Sequence, residues 1–255
     1  MTQWIRFEQN GATQFGTLEG DTITVHEGNM FDSPRATGQT LALKDVTLRT
    51  PTEPTKIVAL WNNFHALAAK LKLSAPPEPL YLIKSAGSAL PGGETIRRPA
   101  SYDGKIVFEG ELGIVIGKTC RSVSEAEARD HIFGYTCVND VTAAEIINKD
   151  STFAQWTRSK SFDTFGVFGP VVVSGLDPSG LSIKTVLNGD ERQNYPVSDM
   201  VFQPERLVSL ISQELTLFPG DVIACGTSVG VGSMKPGSDV AVTIEGIGTL
   251  SNRLE

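Results

Sequence analysis

Twenty-five glycines and fourteen prolines are spread through the 255 residues of this chain, and that punctuation constrains its fold more than any other feature. Glycine and proline end regular elements and open turns, so a chain cut this often is expected to be rich in strands. The first stretch reads as a small antiparallel unit. Strands are expected over Trp4 to Glu8, Thr13 to Leu18 and Thr22 to His26. Asn10-Gly11 is a hairpin signal, because both residues tolerate the positive φ of a type I′ turn. Met30 to Gln39 is polar and reads as turns. The prolines of Thr50-Pro51-Thr52-Glu53-Pro54 mark a linker, which divides the chain into a small N-terminal β domain (1–52) and a main domain (53–255).

The main domain opens with a short apolar strand, Lys56 to Leu60. A helix is expected over Asn63 to Leu73, with Phe64, Leu67, Ala68 and Leu71 at helical spacing, and Pro76, Pro77 and Pro79 stop it. Leu80 to Ile83 reads as a strand, and Lys105 to Lys118 as a longer one. Ser124 followed by Glu127 is a capping-box pattern. Tyr135 to Asn139 is a strand. Ser182 to Leu187, Asn188-Gly189 and Arg192 to Tyr195 form a hairpin. Pro204 opens an amphipathic helix through Leu207, Leu210 and Ile211. Asp221 to Cys225, Asp239 to Glu245 and a last strand toward Arg253 complete an α+β chain dominated by β structure.

The formal charge is −7 and no run of Lys and Arg overturns it, which argues against nucleic acid as a partner. A small anionic substrate would then need local positive charge, from a metal or a few placed cations. Cys120, Cys137 and Cys225 are widely spaced with no CxxC pair, and read as reduced thiols of a cytoplasmic protein. No apolar run reaches the ~18 residues needed to cross a bilayer, so no membrane partner is expected. The N-terminus, MTQWIRFEQNG, has no signal-peptide pattern.

The densest chemical signal is Phe108-Glu109-Gly110-Glu111-Leu112. In a strand, residues two apart share a face, which puts the two carboxylates roughly 7 Å apart on one side. Phe108, Leu112, Ile114 and Ile116 take the other side as core, while Val107 and Val115 share the face of the glutamates. Either the glutamates face water or a cation relieves their repulsion. Asp140, ending the strand Tyr135 to Asn139, is the natural third ligand, or else a turn aspartate. A set of three carboxylates selects a hard cation, Mg²⁺ or Mn²⁺, over zinc. It would leave coordination sites where a 2-oxo acid could chelate.

Six stretches carry a resemblance: EPLYLIKSAGSAL (Glu78 to Leu90), FEGELGIVIGK (Phe108 to Lys118), FGYTCVND (Phe133 to Asp140), QWTRSKSFDTFGVFGP (Gln155 to Pro170), LTLFPGDVIACGTSVGVG (Leu215 to Gly232) and IEGIGTLSNR (Ile244 to Arg253). In their order and spacing, from about Lys56 onward, the chain resembles the fumarylacetoacetate hydrolase family. The resemblance implies a mixed β-sandwich or β-roll catalytic domain, usually in a homodimer, with Glu109, Glu111 and Asp140 as ligands of Mg²⁺ or Mn²⁺. It implies that Lys160 faces the active site, where an ammonium could hold a substrate oxyanion or a water. The alternative for Lys160 is a surface side chain paired with Asp163. The resemblance also implies that Thr227, in Gly226-Thr227-Ser228, contacts a substrate carboxylate; the family usually has proline at the position of Ser228.

The chain departs from the family in two places. Hydrolytic members carry Asn-Tyr-x-x-His-x-x-Glu on a mobile lid, where His and Glu activate the attacking water. Ungapped, that register puts Asn63-Phe64 on Asn-Tyr, Leu67 on the histidine and Lys70 on the glutamate. His65 lies two residues early, about 200° around a helix, and a gapped register that uses it replaces the glutamate by Ala68. His65 is therefore either a displaced catalytic group or an exposed helix-start histidine. After Asp140, Ala144 and Ile147 stand where many members have a substrate-holding arginine and glutamine.

Three readings of function follow. Family frequency places first a metal-dependent hydrolase that cleaves a C–C bond of an acylpyruvate-type 2-oxo acid, as in aromatic catabolism. The missing dyad supports a metal-dependent decarboxylase or keto–enol isomerase of a 2-oxo dioate, of the oxaloacetate or 2-hydroxyhepta-2,4-diene-1,7-dioate type. The third is a non-catalytic binding protein that keeps the fold.

Overall fold

A computed structural model describes residues 1–255 and shows the expected strand-rich α+β fold. The N-terminal strands are β1 (Thr2–Gln9), β2 (Ala12–Glu19), β3 (Thr22–Asn29) and β4 (Asp32–Ala42). Asn10 and Gly11 turn β1 into β2 with φ of 51° and 78°, the positive values that a type I′ hairpin requires. β4 corrects the expectation of turns over Met30 to Gln39. It is an edge strand, exposed along most of its length, with register shifts against β3. A strand that buries neither face has no alternation to reveal it.

In the main part, β5 (Ile57–Trp61) leads to α1 (His65–Leu71), followed by β6 (Leu80–Lys84), β7 (Ile106–Phe108), β8 (Gly110–Ile116) and β9 (Ile132–Asp140). Then come α2 (Trp156–Lys160), β10 (Gly166–Ser174), the hairpin β11 (Ser182–Leu187) and β12 (Asp190–Pro196), α3 (Pro204–Glu214), β13 (Val222–Ala224), β14 (Asp239–Ile244) and β15 (Gly248–Leu254). The central sheet runs β4-β3-β2-β1-β10-β9-β8-β13-β5-β6. The N-terminal strands thus continue the central sheet, through Thr2 to Trp4 paired with Ser174 to Val172. The segment after them is tied down: Thr52 donates from Oγ1 to the Gly220 carbonyl at 2.8 Å. A second sheet holds β12, β11, β14 and β15.

α1 is shorter than its apolar spacing predicts. Lys72 adopts a left-handed φ of 57° and its N–H caps the last turn, so the helix stops before the prolines are reached. The capping box of Ser124 and Glu127 forms as read. No helix is long and apolar enough to cross a membrane.

The largest departure lies at the site itself. Lys105 to Lys118 is not one strand but two, in different sheets, with the break at Glu109. Backbone groups at the break leave the ladder: the Glu109 N–H donates to Asn139 Oδ1 at 3.0 Å, and its carbonyl accepts from the Asp140 N–H at 2.9 Å. Gly110 permits the close approach, since a Cβ there would sit 2.0 Å from Thr185 Oγ1. Phe108, Leu112, Ile114 and Ile116 enter the main core as expected. Each such buried side chain contributes roughly 1.5–3 kcal/mol, which anchors the strands on both sides of the break. Val115 does not line a cavity with the glutamates; it packs with Val138, Phe168, Val172 and Val222 in a second apolar cluster.

Candidate metal centre

β8 and β9 pair antiparallel, with Gly110 opposite Asn139 and Glu111 opposite Val138. This register carries Glu109, Glu111 and Asp140 to one point, where ligand-competent oxygens of all three lie within 4.8 Å of one another. Glu111 and Asp140 are fully buried, and the Glu109 side chain is only 15% exposed. At that separation each like-charge pair repels by about 3.5 kcal/mol at the effective dielectric of a protein interior. Burial, then the charges of Asp140 and Glu109, push the Glu111 carboxyl well above its ordinary range. Its Oε2 accepts the Gly226 N–H at 2.9 Å, but its Oε1 is buried with no partner. An orphaned carboxylate oxygen beside two more carboxylates is what a cation site presents before loading. The all-oxygen donor set fits Mg²⁺ or Mn²⁺.

Lys160, closing α2, is 2% exposed and enters this cluster rather than pairing with Asp163. Its Nζ donates to Glu109 Oε2 at 2.8 Å, Asp140 Oδ2 at 2.6 Å and Thr142 Oγ1 at 2.7 Å. Burial alone would lower its pKa, but the charges of Asp140, Glu109 and Glu111 outweigh that and hold the ammonium above its ordinary range. Asp140 is likewise penalised by burial, yet Lys160 and Lys84 keep its carboxyl below the usual value. Lys84, closing β6, was not anticipated from the sequence. A lysine ending the apolar run Leu80-Tyr81-Leu82-Ile83 was the available signal.

Thr227 lies beside the cluster, one residue past the Gly226 amide that holds Glu111. Its hydroxyl donates to the Gly110 carbonyl at 3.0 Å and accepts from Gln193 Nε2 at 2.8 Å. Gln193 and Tyr195, both buried on β12, were also missed. Gln193 Oε1 accepts the Gly110 N–H at 3.0 Å, and the Tyr195 hydroxyl donates to the Gly110 carbonyl. Together they brace the residue between the two glutamates.

His65 is different. It is the first residue of α1, its ring is exposed, and no hydrogen bond joins it to any of the three carboxylates. Asn63, just before it, is a buried structural residue whose Nδ2 donates to the Cys225 carbonyl at 2.8 Å and whose Oδ1 accepts the Phe202 N–H at 2.9 Å. Leu67 is buried and Lys70 exposed, and neither can act as acid or base in the manner of a His–Glu pair.

The family profile described as "Fumarylacetoacetate (FAA) hydrolase C-terminal" matches residues 56–255. The chain belongs to the fumarylacetoacetate hydrolase family. Residues 2–51 match a second profile, "Rv2993c-like, N-terminal". Among family relatives, oxaloacetate tautomerase YisK of Bacillus subtilis is 33% identical over 255 aligned positions, covering 92% of this chain and 84% of its own. The crystal structure of 2-hydroxyhepta-2,4-diene-1,7-dioate isomerase from Mycobacterium marinum superimposes with a TM-score of 0.91 at 36% identity, covering 100% of this chain and 98% of that one. Maleylpyruvate hydrolase from Sphingobium sp. SYK-6, solved with manganese (II) ion and pyruvate, gives a TM-score of 0.80 at 25% identity, covering 99% and 98%.

Proposed function

We propose that this family member is a divalent-metal-dependent keto–enol isomerase of a small 2-oxo dioate, with oxaloacetate as the first substrate to try. The observation that carries the reading is the composition of the cluster. A buried ammonium, Lys160, touches two of the three carboxylates, and no His–Glu pair stands beside them. Isomerisation needs stabilised charge on the 2-oxo oxygen and a proton relay, and it needs no activated water. Two relatives named as a tautomerase and an isomerase support it.

Glu109, Glu111 and Asp140 would hold one Mg²⁺ or Mn²⁺, which supplies Lewis acidity toward the 2-oxo group when bound. Lys160 would place its positive charge beside that group, and would donate to the oxygen on which charge develops by exchanging one of its three present acceptors for it. Thr142 Oγ1 orients the ammonium at 2.7 Å. Gly226 fixes Glu111, and Thr227, with the loop it belongs to, forms the wall toward a substrate carboxylate. Ala144 and Ile147, at the positions where many family members carry polar substrate contacts, offer none, so the substrate would be held mainly by its chelating end. A homodimer, implied by the family resemblance, and a cytoplasmic setting complete the proposal; light scattering of the purified protein checks the former.

The test is direct. Protein with Mg²⁺ or Mn²⁺ is mixed with enol-oxaloacetate and the enol absorbance is followed. Accelerated loss of the enol band with oxaloacetate conserved supports isomerisation. An enol decay equal to the buffer rate refutes it. A hydrolase of an acylpyruvate is the second reading, favoured by the likeness to the Mn²⁺- and pyruvate-bound maleylpyruvate hydrolase over nearly the whole chain. It predicts pyruvate plus a second acid carrying solvent ¹⁸O.

A further inference from the structure

Two lysines serve the cluster, and they are held in different ways. Every acceptor of Lys160 is a side chain: Glu109, Asp140 and Thr142. Lys84 instead joins one carboxylate to the backbone. Its Nζ bonds Asp140 Oδ1, donates to the Phe165 carbonyl at 2.9 Å and reaches the Val141 carbonyl at 3.4 Å. It is 1% exposed at the end of an edge strand, where a lysine ordinarily extends to water. Three ammonium protons facing three acceptors leave it no second orientation. Val141 follows Asp140, and Phe165 immediately precedes β10, so Lys84 pins the backbone around the aspartate as well as its side chain.

The consequence is a division of labour between the two oxygens of Asp140. Oδ1 is taken by Lys84. Oδ2 shares the Lys160 ammonium with Glu109 Oε2, and so lies on the side of the other carboxylates. We propose that Lys84 is the positioning residue that presents Asp140 to the divalent cation through one oxygen only. This rests on reading Glu109, Glu111 and Asp140 as the cation's ligands. Because its other anchors are backbone carbonyls, Lys84 keeps its place when the cation arrives, whereas the acceptors of Lys160 are all side chains that can rearrange with it. Partners that orient a ligand in this way typically change metal affinity 10–100-fold when removed, about the effect expected here.

The experiment uses full-length protein stripped with EDTA and titrated with Mn²⁺. Free Mn²⁺ is read by electron paramagnetic resonance, and the number of water molecules on bound Mn²⁺ by proton relaxation. Lys84→Met, which keeps an unbranched apolar stem but removes the ammonium, is expected to weaken Mn²⁺ binding about 10–100-fold and to lower the count of bound waters as Oδ1 is released to the ion. Unchanged affinity and water count in a folded Lys84→Met protein overturn the inference. A purely structural lysine would lower the melting temperature and leave both unmoved. Wild-type protein that binds no Mn²⁺ overturns the ligand reading itself, a distinct failure. Should Lys84→Met not fold, ¹⁵N-lysine spectra of the wild type decide. Two slowly exchanging ammonium signals are expected, and the one remaining in Lys160→Met should stay slowly exchanging when Mg²⁺ is added to wild type. A Lys84 signal that exchanges fast, with or without Mg²⁺, overturns the proposal.

Discussion

The carboxylate cluster and the segment from Asn62 through α1 are built in opposite ways. In the cluster, Glu111, Asp140, Lys84 and Lys160 are buried, and each is held by backbone or charged partners from strands distant in sequence. In the segment, Asn63, Phe64 and Leu67 are buried for packing, while His65 and Lys70 point to solvent. The first region has polar groups inside and the second has them outside. Buried charge is costly unless its function or its pairing compensates, so the cluster is where the proposed chemistry would be concentrated. The segment supplies a packed cover, with Phe64 edge-on to Tyr195 at 4.9 Å.

The largest effect should come from breaking the buried region. Glu111→Gln keeps shape and removes one charge, and it is expected to cut turnover about 10³-fold with loss of Mn²⁺ binding, by analogy with removing a group that stabilises transition-state charge. Steady-state rates and a Mn²⁺ titration check it. Retained activity and binding would undo the contrast between the regions. Next, Lys160→Met should lower kcat about 10²-fold while Mn²⁺ binding persists, since the ammonium repels the cation yet serves the substrate oxygen. A Lys160→Met protein that loses Mn²⁺ affinity as well would make that lysine a structural part of the cage.

Metal removal gives a smaller, graded effect. At Mg²⁺ one hundred times its Kd, ligation stabilises the fold by about 2.7 kcal/mol, so EDTA should lower the melting temperature by about 5–10 °C for a chain of this size. The effect has a pH sign. Burial and the neighbouring carboxylates raise the Glu111 pKa in the folded, ion-free protein. Its contribution to ion-free stability is therefore full below the ordinary glutamate value and is lost as pH rises through the raised one. Cation binding needs the ionised form, so its affinity follows the reverse course. Thermal scans from about pH 5 to pH 8 should show the gap between Mg²⁺-loaded and EDTA-treated protein widening with pH. A gap that narrows would contradict the ligand role of Glu111.

Much of the buried region was legible in the sequence, and its errors have a common cause. Apolar runs exposed β8 and β9, because Leu112, Ile114, Cys137 and their neighbours pack within a sheet covered on both faces. The three carboxylates stood out because charge inside such strands is rare. What stayed hidden depends on partners far along the chain. The break at Glu109 is made by Asn139 and by Thr185 against Gly110, and nothing in residues 105–118 encodes those contacts. Lys84 looks like an ordinary strand-end lysine until Phe165 and Asp140 close over it. Gln193 and Tyr195 read as one arm of a hairpin, and lie beside the cluster only when β12 is laid against Gly110. β4 was missed for the opposite reason: it buries too little to impose a pattern.

His65 sets the smallest and sharpest test of the contrast. If proton transfer is served within the buried cluster, an exposed imidazole with no hydrogen bond to it contributes little. His65→Ala should then change kcat/KM for the enol substrate by less than about 2-fold, well under the 10²–10⁴ typical of a general acid–base residue. The melting temperature should hold within about 2 °C, since an exposed helix-start side chain removes no buried contact. A 10²-fold loss with an unchanged melting temperature would mean that α1 closes over bound substrate and delivers His65 to the carboxylates. The cover would then be part of the catalytic machinery, and hydrolysis, which needs an activated water, would regain the lead over isomerisation.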